Sequence, residues 1–270
     1  MLSKATIKRI RALEQKKFRR QTGLFVAEGP KVVGDLLAAM PAHEIFATEE
    51  WLCEHQSGNI ATAGVRSRAN IATPAITEVS EDELRRLSFQ QHPQQVLATF
   101  PIPATLSNGQ LSVANHLLSI ALDGVQDPGN LGTIIRIADW FGIGTIFCSP
   151  NTADAYAPKV VQATMGSLTR VHITYCDLAQ LLEKLPADFP VYGTLLDGDD
   201  IYTQPLTTGG LIVMGNEGKG LSPEVARRVN RQLLIPSYPA DRPTADSLNV
   251  AMATAIVCAE FRRQEQQNKK

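Results

Sequence analysis

The sequence predicts an α/β protein in two parts, a small N-terminal α/β domain and a larger C-terminal domain on a largely parallel sheet. Three observations carry this expectation. From residue 117 onward, short apolar runs alternate with helical patterns, as strands joined by helical crossovers do. Before residue 100 the strand and helix candidates are fewer and shorter. Between the two parts, residues 101–116 carry Pro101, Pro103 and the turn dipeptide Asn108-Gly109 without periodicity, which reads as a linker. The expected boundaries are therefore 1–100, 101–116 and 117–270.

In the first part, Leu24–Val26 reads as a strand and Gly29-Pro30 as the turn after it, with Pro30 at a first helical position. Val32, Val33, Leu36 and Leu37 then mark a buried helix face. Glu44–Phe46, Glu78–Val79, Glu81–Leu87 and Gln95–Thr99 supply further short elements. Ahead of them, residues 1–20 hold Lys4, Lys8, Arg9, Arg11, Lys16, Lys17, Arg19 and Arg20 against the single acid Glu14. Leu2, Thr6, Ile10, Leu13 and Phe18 lie near helical spacing among them, so a basic amphipathic helix is expected. The whole chain has a net charge of −1, so any attraction to nucleic acid must come from such a local patch. A merely solvated face is the competing reading.

Cys148, Cys176 and Cys258 sit in or beside apolar segments and read as buried thiols of a reducing compartment. Neither the cysteines nor the five isolated histidines have metal-ligand spacing, so no metal is expected. No signal-peptide pattern opens the chain, and the apolar stretch Leu248–Phe261 is too short and polar to span a bilayer. A soluble, cytoplasmic protein is the expectation.

In the second part, Leu117–Leu122, Thr145–Cys148, Val171–Tyr175, Val191–Leu196, Leu211–Met214 and Gln232–Ile235 read as strands. Three stretches break the rhythm, each after a strand end, where open α/β sheets bind ligands. In Leu122–Gly144, Asp127-Pro128-Gly129 makes a turn and Asn130 is a candidate helix cap. Arg136 interrupts the apolar face of Ile134, Ile135, Ala138 and Phe141, which is costly unless it reaches a polar cleft or snorkels to solvent. In Leu211–Val225, a strand runs into glycines that enclose Glu217. Gly215 and Gly220 have phosphate-loop spacing, but Leu221 stands where that loop needs lysine, which argues against a nucleotide triphosphatase. In Leu233–Phe261, a proline-rich loop follows the strand, Ser247 is a candidate cap, and Val250, Thr254, Val257 and Phe261 share a helix face.

DPGNLGTIIRIAD, IVMGNEGKGLS and IP…SLNVAMATAI, in that order, are similar to the three signature motifs of the SpoU-type, TrmH-like branch of the SPOUT methyltransferases. The FVAEGPKVV segment resembles the ribosomal-protein-like RNA-recognition domain that precedes the catalytic domain in this branch. The resemblance implies a C-terminal trefoil knot, S-adenosylmethionine as cofactor, and a homodimer paired through the catalytic domain. It implies RNA as substrate, ribosomal rather than transfer RNA, methylated on a ribose 2′-hydroxyl. Carried over by motif, Leu195, Gly215, Ile235 and Leu248 would contact the cofactor, and Asn130, Arg136, Glu217, Ser247 and Asn249 would form the catalytic polar set. Lys8, Arg9, Arg11, Lys16, Lys17, Arg19 and Arg20 would contact RNA phosphates. In one respect the chain departs from the pattern: Ser237–Asp246 is longer than the corresponding family loop and adds Asp241 and Arg242.

An arginine with a pKa above about 12 is a poor base. The implied role of Arg136 is therefore to bind the phosphate beside the target ribose and polarise its hydroxyl. Asn130 would orient the RNA or Arg136, while Glu217 and Asn249 would brace the loops. Two rivals remain at this point, a non-catalytic RNA-binding protein of the same fold and a SPOUT enzyme that methylates a base. The presence of the whole polar set argues against the first, and the combination of Asn130…Arg136 with Ser247-Leu248-Asn249 argues, by resemblance alone, against the second.

Overall fold

The computed structural model describes residues 2–56, 74–103, 117–239 and 245–269. Most of the expected linker and the middle of the long Ser237–Asp246 loop lie outside the described residues. The chain forms two compact units, one of Met1–Ala104 with Asp154–Thr169, the other of Thr105–Ala153 with Arg170–Lys270. The segment 154–169, expected in the second domain, thus belongs to the first unit.

The first unit begins with α1 (Lys4–Ala12) and α2 (Lys16–Thr22), two helices where one had been expected. Ser3 caps α1 by accepting from the Thr6 N–H, and Gly23, at φ +67°, closes α2 in the left-handed conformation. Next come β1 (Leu24–Glu28), α3 (Pro30–Ala39), β2 (Glu44–Ala47), α4 (Glu49–Gln56), β3 (Ala75–Glu78), α5 (Glu81–Leu87) and β4 (Val96–Pro101). The strands form one sheet in the order β1-β4-β2-β3, antiparallel except for β2 with β3. Alternation along the strands sorts the core into two layers. Phe25, Ala27, Ile45, Ala98 and Phe100 pack with Val33, Leu36 and Trp51 on one face. Val26, Phe46 and Leu97 pack with Ile10, Leu13, Leu84 and Leu87 on the other.

The second unit carries β5 (Leu118–Asp123), α6 (Pro128–Trp140) and β6 (Thr145–Cys148). The chain then contributes α7 (Pro158–Thr164) to the first unit, where Val161 joins the core and Tyr156 packs on Phe25 at 5.1 Å. Back in the second unit follow β7 (His172–Tyr175), α8 (Leu178–Glu183), β8 (Val191–Asp200), β9 (Gly210–Gly215), α9 (Pro223–Ala226), β10 (Arg231–Leu234) and α10 (Val250–Asn268). Six parallel strands run in the order β10-β8-β9-β5-β6-β7. Every residue of β5 is buried, as expected of a central parallel strand with helices on both faces. Leu178, Leu181 and Leu182 of α8 cover one face. On α10, Val257 and Phe261 are buried, and Phe261 meets the Tyr192 ring edge-on at 4.9 Å. No described helix is long and apolar enough to cross a membrane.

Two local features shape the ligand end of this sheet. Opposite β10, the register of β8 jumps from Gly193 to Asp199, so Thr194–Gly198 bulge out of the ladder. Gly198 makes this possible, because a Cβ there would lie 2.7 Å from the Leu233 backbone. Likewise, a Cβ on Gly215 would lie 2.5 Å from the Gly220 carbonyl carbon, so only glycine lets the loop after β9 fold back this tightly.

Candidate active site

The sheet's strand order reverses beside β5, and the carboxyl ends of β5, β8, β9 and β10 meet the loops that the sequence singled out. There the bulge of β8, the loop after β9 and the chain on either side of the long loop enclose a cavity of about 570 Å³. All four expected cofactor residues, Leu195, Gly215, Ile235 and Leu248, line it, as does Ser247.

Beside the cavity the three motif segments are tied together. Asn249 donates its side-chain amide to Asn130 Oδ1 at 2.9 Å, and Asn130 donates in turn to Glu217 Oε1 at 2.8 Å. The backbone fixes both asparagines. Asn249 is the N-cap of α10, accepting from the Ala251 and Met252 N–H groups at 2.9 and 3.3 Å. Asn130 sits in the first turn of α6, its own N–H bonded to Asp127 Oδ1 at 2.8 Å. The caps therefore differ from expectation. Asp127, not Asn130, caps α6, because Pro128 takes the first helical position. Asn249, not Ser247, caps α10, and Ser247 stays exposed at the cavity.

Arg136 is exposed on α6, does not line the cavity and has no hydrogen-bond or ion-pair partner among the described residues. Six residues from Asn130, it stands about 120° away around the helix. The structure thus joins Asn130, Glu217 and Asn249, with Ser247 on the cavity wall, and leaves Arg136 apart from them.

Asp123 and Asn216 were not singled out in the sequence. Asp123 is buried at the end of β5 and accepts from the Ser222 N–H at 2.7 Å. Asn216 donates to the Gly124 carbonyl at 2.7 Å, and its Oδ1 accepts from the N–H groups of Gly218 and Lys219, each at 3.0 Å. An acid closing an otherwise apolar strand was the available signal for Asp123. Three cysteines are buried, and burial pushes the Cys176 thiol up to about 11 and Cys258 up to about 12, so neither is a nucleophile.

The basic segment of the first unit needs correction. Arg19 is almost fully buried. It donates to the Leu13 and Glu14 carbonyls, each at 2.7 Å, and pairs with Asp154 at 2.6 Å. It is a structural cation and is removed from the RNA-facing set. By taking the carbonyls at the end of α1, it also fixes the break between α1 and α2. Arg9 pairs with Glu44 at 2.8 Å, and Arg11 bonds the Ser88 carbonyl and lies over the Phe89 ring. Lys8, Lys17 and Arg20 are exposed without a partner among the described residues.

A six-stranded parallel sheet with a ligand-sized cavity at its strand ends, bordered by the three motif segments, fits a SPOUT-type α/β methyltransferase domain, which here follows a smaller domain in the sequence. Residues 117–259, more than half of the chain, match the SpoU rRNA Methylase family, and residues 4–98 match the MRM3-like substrate binding domain. The chain belongs to the SpoU rRNA methylase family. It is 29% identical to the 23S rRNA (guanosine(2553)-2′-O)-methyltransferase RlmP of Bacillus subtilis, over 95% of both chains. Among solved structures, a TrmH-family protein from Porphyromonas gingivalis superposes with a TM-score of 0.81 at 38% identity, covering 98% of this chain and 99% of that one. The AdoMet-bound rRNA methyltransferase from Sinorhizobium meliloti superposes with a TM-score of 0.81 at 32% identity, covering 97% and 96%.

Proposed function

We propose that the chain transfers a methyl group from S-adenosylmethionine to a ribose 2′-hydroxyl of ribosomal RNA in the cytoplasm. The observation that carries this reading is the hydrogen-bonded chain Asn249–Asn130–Glu217, which draws all three motif loops together beside the cavity. Relatives named for the same reaction on 23S rRNA favour ribosomal RNA.

The residues present fit the cofactor. The cavity volume lies in the range of small-molecule sites, about 300–1,000 Å³. Leu195, Leu196, Leu221, Ile235 and Leu248 give apolar walls for a flat base, and the glycine-rich loop brings backbone polar groups to its edge. Glu217 and Asp246 supply negative charge suited to a cationic ligand. When bound, S-adenosylmethionine supplies an electrophilic methyl on a positive sulfur.

The protein's part is alignment. Asn130, held from both sides, sets the relative position of α6, the β9 loop and the start of α10. Ser247 presents a hydroxyl at the cavity, where it can orient the ribose. Arg136, which stands outside the cavity, keeps the role that the family resemblance gives it, binding the phosphate beside that ribose and polarising its hydroxyl. Titration calorimetry should find S-adenosylhomocysteine binding, with ATP and GTP inert because the loop has Leu221 in place of a phosphate-binding lysine. Tight ATP binding with no response to S-adenosylhomocysteine would overturn the reading.

Two structural proposals accompany it. The strand order β10-β8-β9 and the convergence of three loops on one cavity support a C-terminal trefoil crossing, which a crystal structure tracing residues 235–250 would test. The exposed apolar side chains Trp140, Leu248 and Met252 on or beside α6 and α10 support pairing of two copies through the catalytic domain. Sedimentation at micromolar concentration should give the mass of two chains, and a monomer there would refute the pairing.

A further inference from the structure

We propose that Lys219 holds an RNA phosphate next to the target ribose, so that the hairpin Asn216–Gly220 positions the substrate as well as walling the cofactor cavity. The inference rests on the methyl-transfer reading above and names a residue that the motif comparison left without a role.

The hairpin is held rigidly from within and at both ends. Asn216 and Gly220 exchange both backbone hydrogen bonds at 2.9 Å, which closes the hairpin. Asn216 Oδ1 accepts from the Gly218 and Lys219 N–H groups inside the turn, while its Nδ2 ties the entrance to the Gly124 carbonyl. Asp123 ties the exit through the Ser222 N–H. Gly124 is itself anchored, its N–H donating to Ser149 Oγ at 2.8 Å. Entrance, tip and exit are thus fixed to the end of β5 before any ligand arrives, so little backbone entropy is left to lose on binding.

The hairpin also carries an exposed positive charge. Glu217 is bonded to Asn130, and the side chains of Glu217 and Lys219 form no ion pair with each other. The Lys219 side chain is exposed and its ammonium has no partner among the described residues. Among the described residues lining the cavity it is the one cation, beside two acids in the same lining, Glu217 and Asp246. A sulfonium cofactor with an ammonium group carries net positive charge, which the acids attract and Lys219 repels. RNA has the opposite preference. A lysine on a fixed turn is a compact point charge, and it can follow a phosphate through a range of orientations.

The test compares Lys219→Gln and Lys219→Arg with the wild type, using ribosomal RNA isolated from a strain lacking the enzyme. Lys219→Gln should raise the RNA KM about tenfold and reduce the dependence of log KM on log salt by about 0.7–0.9, the share of one phosphate contact. Its affinity for S-adenosylhomocysteine should stay within about twofold of the wild type, since the contact is on the RNA side. Lys219→Arg should recover most of the RNA KM. An unchanged RNA KM and salt slope in Lys219→Gln would overturn the inference. So would weakened S-adenosylhomocysteine binding with methylthioadenosine binding unchanged, because methylthioadenosine lacks the carboxylate and Lys219 would then belong to the cofactor. If wild-type protein bound no S-adenosylhomocysteine, the methyl-transfer reading itself would fall, a result separable from both.

Discussion

Arg136→Ala is expected to lower the methyl-transfer rate by about two to three orders of magnitude, the scale seen when a donor that stabilises developing charge is removed. The side chain is exposed, lies outside the cofactor cavity and is engaged by no described group, so its guanidinium is free for the RNA. Its neighbours Ile134, Ile135 and Ala138 are fully buried in the helix face that packs inward, so the fold does not depend on the charge. The loss should therefore appear in kcat, with S-adenosylhomocysteine affinity within a few-fold of the wild type and thermal unfolding unchanged. Arg136→Lys should be nearly as poor, because an ammonium lacks the planar fork that grips a phosphate with two parallel hydrogen bonds. Wild-type turnover in either variant would show that Arg136 has been misassigned, and a large loss of cofactor affinity would move it into the cofactor site.

What the sequence made legible follows from how local each signal is. The central strands β5 and β9 could be read because parallel strands buried on both faces are nearly continuous apolar runs, as in Leu118–Leu122 and Leu211–Met214, whereas β7 and β10 are partly exposed and were legible from short apolar runs. The cavity walls were legible only through motif similarity. Nothing in the periodicity of Val191–Asp200 announces that Thr194–Gly198 leave the ladder, since that depends on the approach of Leu233 to Gly198. The two cap assignments went wrong for different reasons. At Asp127-Pro128-Gly129-Asn130 the proline already favoured Asp127 as cap, so that answer was available in the sequence. At Ser247-Leu248-Asn249 two equally good capping residues stand two apart, and the burial of Val250 and Ala251 decides between them. Asp123 and the Nδ2 of Asn216 escaped notice because their hydrogen-bond partners lie 99 and 92 residues away, although the turn that Asn216 Oδ1 makes with Gly218 and Lys219 is local.

In the basic segment, distance along the chain hides which cations are solvated and which is buried, since the partner of Arg19 is Asp154. Substituting Lys8, Lys17 and Arg20 together by Gln should flatten the slope of log RNA affinity against log salt by about 2–3, the sum of three phosphate contacts. All three are exposed and without a described partner, so the fold should survive. Arg19 looks equivalent in the sequence yet should behave in the opposite way. Its side chain is 3% exposed and pairs with Asp154, which is 15% exposed, while it also satisfies two carbonyls at the break between α1 and α2. Arg19→Ala would leave a largely buried carboxylate and two carbonyls without their donor, costing about 3–5 kcal/mol of stability. Denaturant unfolding should register that loss in Arg19→Ala and almost none in the triple variant, while the salt slope changes in the triple variant. A triple variant with the wild-type slope would mean that these charges are only solvated. An Arg19→Ala protein as stable as the wild type would mean that the Asp154 pair contributes nothing to the fold.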